Sequence, residues 1–213
     1  MSIGPRLIKA GIVLADPNTG TVLKVIALQY NPETVSRSLK AQIANTGSEH
    51  QITATRYTGV ALETIKVDAE IDANDQLAVS DPTAISLGIH PQLAVLETLI
   101  YPASSTLIAN NTIAASGQLE VLAAEAPLAL FVWSKQRITP VQITDISVTE
   151  EMFDPLLNPI RAKVSLSLRV LSIDDYGFAT PGGTFFLSYL QNKERLAART
   201  GSAAMSTLGV SAL

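Results

Sequence analysis

The chain has 213 residues, 47% of them hydrophobic and only 16% charged, with 15 Lys and Arg against 19 Asp and Glu for a net charge of -4. That length fits one domain, or one domain with an appendage, and is enough to bury a core without staples. The acidic balance and scattered cations argue against nucleic acid, which requires a Lys and Arg excess on one face, and the lack of cysteine excludes disulfides, thiolate catalysis and cysteine metal sites together.

So sparse a charge for the size implies that part of the surface is covered by other subunits. Arg6 and Lys9 precede an apolar run, Gly11 to Ala15, that is too short for a signal-peptide core and meets Asp16 and Pro17 at once. No stretch approaches the roughly 20 apolar residues that cross a bilayer. The expectation is a protein made and kept in the cytoplasm, with no direct membrane insertion.

Leu7 to Ala15, the turn residues DPNTG and Thr21 to Tyr30 predict an opening hairpin. The chain is organised around Lys24 to Gln42, KVIALQYNPETVSRSLKAQ: a strand ending at Tyr30, a turn forced by Asn31-Pro32, and a second strand from Val35 to Gln42. On pattern alone this is an ordinary β-corner. Arg37 falls on its apolar side and has to reach a partner or water.

From Ile43 to Gly59 no period is sustained, which predicts a long loop or arm, and His50 within it reads as a solvent-exposed side chain. Leu62 to Asp72 is the cleanest strand, with Ile65, Val67, Ala69 and Ile71 on one face and Thr64, Lys66, Asp68, Glu70 and Asp72 on the other. The wet face is acidic. Residues two apart on a strand stand about 7 Å from each other, too far to share one cation, so a solvated face is the reading.

Asp81-Pro82 opens a short helix that Gly88 ends, and Pro91 starts a second helical segment that Pro102 stops. His90, just before it, has a capping or turn role. A Ser/Thr/Asn-rich connector follows from Pro102 to Asn111, then an alternating stretch from Gly117 to Leu122. Leu128 to Trp133 is an uninterrupted apolar run, the mark of a strand buried on both faces.

After a turn over Ser134 to Arg137, Pro140 to Glu150 alternates with a one-residue slip at Thr144-Asp145 that predicts a β-bulge. EEMFDPLLNPIRA, with a second Asn-Pro, leads into a strand from Lys163 to Leu171 and closes a long hairpin. Asp174 to Gly183 reads as a turn-rich linker with Gly182-Gly183 as a bend. Thr180-Pro181 caps a last helix bearing Phe185, Phe186, Tyr189 and Leu190, followed by a small-residue tail.

No nucleophile elbow, phosphate loop or dinucleotide glycine pattern is present. Two histidines without cysteine do not make a normal zinc site, and Glu150-Glu151 face opposite ways on a strand, so no catalytic or metal residues and no cofactor are assigned and no enzyme is expected.

ALQYNPETVSRSL resembles the signature segment of the tube-adaptor family of contractile injection systems, an aromatic-Asn-Pro-Glu segment followed by a Ser/Arg-containing strand. VDAEIDANDQL, LGIHPQLAVLETLIYP, LFVWSKQRITPVQIT and NPIRAKVSLSLRVLS resemble later blocks of a short branch of that family, so the likeness covers roughly residues 5 to 175.

The resemblance implies a structural protein of a phage-tail-like particle: a baseplate adaptor, acting as a six-fold ring, that links the inner tube to the spike hub and the surrounding wedge proteins. Longer relatives add a LysM module, and this chain ends instead in one helix and a tail. The expected fold is β-rich α+β, an antiparallel β-barrel or sandwich of the tail-tube type with one or two short helices and a C-terminal helix. Residues 1-175 form the tube-like domain and 176-213 the helix and tail.

The candidate protein-interface residues are Tyr30, Asn31, Pro32, Glu33, Arg37, Asp68, Glu70, Phe185, Phe186 and Tyr189, with Arg37 pairing to a neighbour's Asp68 or Glu70. The particle would assemble in the cytoplasm and be released or anchored. The alternative is a stand-alone β-barrel ligand-binding module, against which the low aromatic content, 5%, argues.

Overall fold

Strands that alternate apolar and polar residues must lay one face on a core, and the computed structural model places all of them in one sheet. It describes residues 8–43, 56–115, 126–201 and 207. The strands are β1 (Gly11–Ala15), β2 (Val22–Ala27), β3 (Val35–Lys40), β4 (Leu62–Asp72), β5 (Leu128–Ser134), β6 (Arg137–Phe153) and β7 (Pro159–Val170). Among the described residues they form a seven-stranded antiparallel sheet in the order β2-β1-β5-β6-β7-β4-β3.

The fold is therefore β-rich α+β, as expected, but the barrel is not closed. β2 and β3 follow one another in the chain yet lie at opposite edges of the sheet without pairing. The seven residues between them cross from edge to edge and use side chains where a ladder would use backbone. Gln29 clamps the Asp72 backbone, accepting from its N–H at 3.0 Å and donating to its C=O at 2.6 Å. Asn31 does the same to β1's approach, accepting from the Ala10 N–H at 2.9 Å and donating to the Ile8 C=O at 2.8 Å. A gap of about 290 Å³ remains between β2 and β4, lined also by Gln92, Val95 and Leu96.

Six helices occur among the described residues, more than the one or two expected beside the terminal one: α1 (Asn74–Ala78), α2 (Pro82–Leu87), α3 (His90–Glu97), α4 (Ser104–Ala115), α5 (Ile173–Tyr176) and α6 (Pro181–Ala197). Asp81 caps α2 by accepting from the N–H groups of Thr83 and Ala84, with Pro82 in the first turn. α3 buries Leu93 and Leu96, but His90 is its exposed first residue and caps nothing; Ile89 stands at the cap position. α4 replaces the expected connector, because Leu107, Ile108 and the alanines outweigh its weak helix formers and Thr112 returns its hydroxyl to the Ile108 C=O. The anticipated linker after β7 contains α5, closed by a capping box between Ser172 and Asp175.

β6 and β7 carry the long hairpin, and the register slips between Ile143 and Asp145, at the predicted bulge. β5 is buried on both faces: Ala129 and Phe131 belong to the main core, while Leu128 and Leu130 join Ala15 in a second cluster flanked by Phe185 and Tyr176. Burying a ring such as Phe131 fully stabilises by about 2–3 kcal/mol. α6 runs alongside this region, from Pro181 against Gly20 to Asn192, which donates to the Gln136 C=O.

Gly182 and Gly183 form no bend; they lie in the first turn of α6. A Cβ on Gly182 would stand 2.5 Å from the Tyr176 ring and one on Gly183 2.0 Å from the Gly177 oxygen, so their bareness lets α6 pack on α5. Of the expected loop over 43–59, Ile43 bridges Tyr57, and residues 44–55 with His50 lie outside the described residues. So do the alternating stretch at 117–122 and nearly all of the tail after Gly201.

Candidate functional site

The ten residues singled out from sequence divide into two groups on different parts of the molecule. Tyr30, Asn31, Pro32, Glu33, Asp68 and Glu70 line one open cleft of about 490 Å³, together with Thr34, Ser147, Thr149, Lys163 and Ser165. Their meeting follows from topology. The crossing segment after β2 arrives beside the outer face of β4, where alternation sets Asp68 and Glu70 outward, and β7 and β6 extend that face.

The cleft's carboxylates are largely engaged at home. Ser165 Oγ donates to Asp68 at 2.7 Å, and Arg161 Nε reaches Glu70 at 2.8 Å and Asp72 at 3.1 Å. Asp72, expected on the wet face, is 5% exposed, because Arg161, Asn74 and the Gln29 clamp close over it. Lys163 pairs with Glu151 at the rim, 2.8 Å apart. Among the described residues no group of three or more His, Asp or Glu side chains could hold a metal ion.

Arg37, Phe185, Phe186 and Tyr189 gather instead where α6 meets the sheet. Arg37 lies on the inner face of β3, opposite Ile65, and has a partner within its own chain. Its Nε and Nη2 donate to Glu63 of the same chain at 2.7 and 2.5 Å. Glu63 is 4% exposed and also accepts from Lys193 Nζ at 2.8 Å and from the Tyr189 hydroxyl at 2.9 Å. Tyr189 in turn accepts from Arg37 at 2.8 Å, and the Lys193 ammonium stands 4.1 Å from its ring centroid.

Burial alone would raise the Glu63 carboxyl. The hydrogen bonds from Lys193 and Arg37, with the Lys193 charge, outweigh it and hold the group below its ordinary range. Burial is likewise the main cause that pushes the Tyr189 phenol up, with the Glu63 charge adding to it. This arrangement is a lock between β3, β4 and α6. Phe186 enters the main core and Phe185 packs against the second cluster.

Glu63 and Lys193 were not singled out from sequence, though a signal existed for each. Glu63 is in phase with Ile65, Val67, Ala69 and Ile71, and a carboxylate in phase with a buried stripe needs a cation. Lys193 lies four residues after Tyr189, on the same side of the helix.

No family model matches the chain, and no curated protein matches it. Among solved structures it is similar to a chain in the tail of an empty gene transfer agent particle with C6 symmetry, at 12% identity and a TM-score of 0.31, covering 76% of this chain and 90% of that one. A chain in the virion of the native gene transfer agent particle gives 12% identity and a TM-score of 0.30, with 76% and 91% covered. At such TM-scores too little of the backbone coincides for the likeness to bear on fold or function.

Proposed function

We propose that the chain is a structural component of a phage-tail-like contractile injection system: a baseplate adaptor that forms a six-fold ring and links the inner tube to the spike hub and wedge proteins. The single observation that carries an assembly role is the open sheet. Its edge strand β2 leaves Val22, Leu23 and Val25 58%, 61% and 65% exposed and has no second neighbour among the described residues. A free apolar edge is a pairing template that lone proteins blunt with charge, bulges or cover. Here it bears one cation, Lys24.

The order of the five sequence stretches supplies the finer reading, the particle and the place within it. Rings follow when a heterologous contact closes, and an open sheet whose two edges are free among the described residues offers such a contact. The cleft beside Asn31 and Pro32 is a second surface available to tube or wedge proteins, and the molecule works by holding partners. Assembly in the cytoplasm into a particle that is later released or anchored belongs to the same reading.

Electron microscopy of particles from a strain lacking this gene tests it. Tubes and sheaths without a joined baseplate are expected; complete particles would reject the adaptor role.

A further inference from the structure

β6 spans the molecule, and its two ends differ in charge. At 17 residues it covers about 50 Å of strand, reduced somewhat by its bulge. At its start, two adjoining pockets of about 370 and 490 Å³ lie between the β5–β6 turn and α6. Their walls carry Arg37, Lys135, Arg137, Lys193 and Arg195 and no carboxylate. Behind them Glu63 answers Arg37 and Lys193, whereas the Arg137 side chain has no partner among the described residues. Trp133, Ile138 and Leu196 add apolar wall.

At the other end the β6–β7 tip is acidic and apolar. Glu150 is exposed and unpaired among the described residues, and Glu151 is held only by the exposed Lys163. Beyond them Leu156 and Leu157 are 78% and 77% exposed. The tip is braced: Asp154 accepts from the N–H groups of Leu156 and Asn158 at 2.7 and 2.8 Å and from the Asn158 amide at 2.8 Å. Met152 and Leu157 both hold positive φ, 56° and 66°, a conformation that L side chains rarely adopt. A loop that accepts backbone strain to hold two leucines in water is shaped for contact.

We infer that the basic pocket at the start of β6 receives the acidic, leucine-bearing β6–β7 tip of a second copy, so that copies join head to tail. The contact is heterologous: the pocket and the tip lie at opposite ends of one strand, so each copy offers one and takes one. Glu150 faces Arg137 and its neighbouring cations, and the leucines meet Trp133 and Leu196. This deepens the assembly reading above and names one of its contacts.

The purified full chain tests it by light scattering across a concentration series in low and high salt. Wild-type protein self-associates, less in high salt. Arg137→Glu and Glu150→Lys each melt like wild type and each weaken association about ten-fold or more. An equimolar mixture of the two variants restores it, because the reversed tip fits the reversed pocket while the native pair also forms. Wild-type protein that stays monomeric at its highest soluble concentration, variants that associate normally, or a mixture that fails to recover would each overturn the contact. A strain lacking the gene that still builds complete particles rejects the adaptor role and leaves the contact standing. Broken particles with associating variants reject the contact alone.

Discussion

Glu63 ties α6 to β3 and β4 by accepting from Arg37, Tyr189 and Lys193. Replacing it with Gln leaves the partly exposed Arg37 and Lys193 facing a neutral amide, and the expected loss is about 1–3 kcal/mol at neutral pH. Its carboxyl lies below the ordinary value of 4.5 when folded, so its contribution is complete above that value and is lost as pH falls through the lower folded pKa. Thermal melts of wild type and Glu63→Gln should therefore differ most above about pH 5 and converge in acid; a gap that widens in acid would refute the assignment. Thr139 makes the opposite prediction. It is 0% exposed and its hydroxyl has no partner among the described residues, so Thr139→Val is expected to stabilise by about 1 kcal/mol in chemical denaturation, and a loss would show a hidden partner. Arg37→Glu, the natural variant to test an intermolecular ion pair, would instead break the lock within one chain. From sequence, Arg37 was legible as a residue in need of a partner, because it breaks an apolar stripe. The partner was not legible, because Glu63, Tyr189 and Lys193 come together only through packing across up to 130 positions of chain.

At the scale of elements, the turn from α2 into α3 is fixed by Gly88, whose φ is +56° and whose Cβ, if present, would stand 2.2 Å from the Pro159 oxygen. That oxygen also accepts from the Ile89 N–H at 2.9 Å, tying the helices to the base of the β6–β7 tip. Gly88→Ala should cost about 2 kcal/mol or more, from backbone strain plus the clash; a melt unchanged by the substitution would show that the tip and helices are not tied there. β2 behaves otherwise. Leu23→Lys with Val25→Lys changes an exposed edge, so the isolated chain should melt within about 0.5 kcal/mol of wild type while assembly is lost; retained assembly would remove the edge from the account. The long strands, the bulge at Thr144 and the caps of α2 and α6 were legible because each depends on neighbours within a few residues. α4 was not, since Ser, Thr and Asn signal a turn when taken singly and only the spacing of its aliphatics favours a helix. Closure failed for a different reason. Two hairpins with Asn-Pro turns are compatible with a barrel, but whether the edge strands meet is decided by side chains such as Gln29 and Asn31 taking backbone partners.

The whole molecule is an open, curled sheet with an apolar edge, an acidic cleft beside its crossing segment, a basic pocket at one end and a braced apolar tip at the other. Under the proposed function, each of these surfaces is completed by a neighbouring subunit. The most direct test is cryo-electron microscopy of purified injection particles from the native host at side-chain resolution. The account predicts a six-fold ring of this chain between tube and spike, with β2 of each copy covered by a neighbouring subunit. Particles that lack the chain, or that hold it with the β2 edge open to solvent, would contradict it.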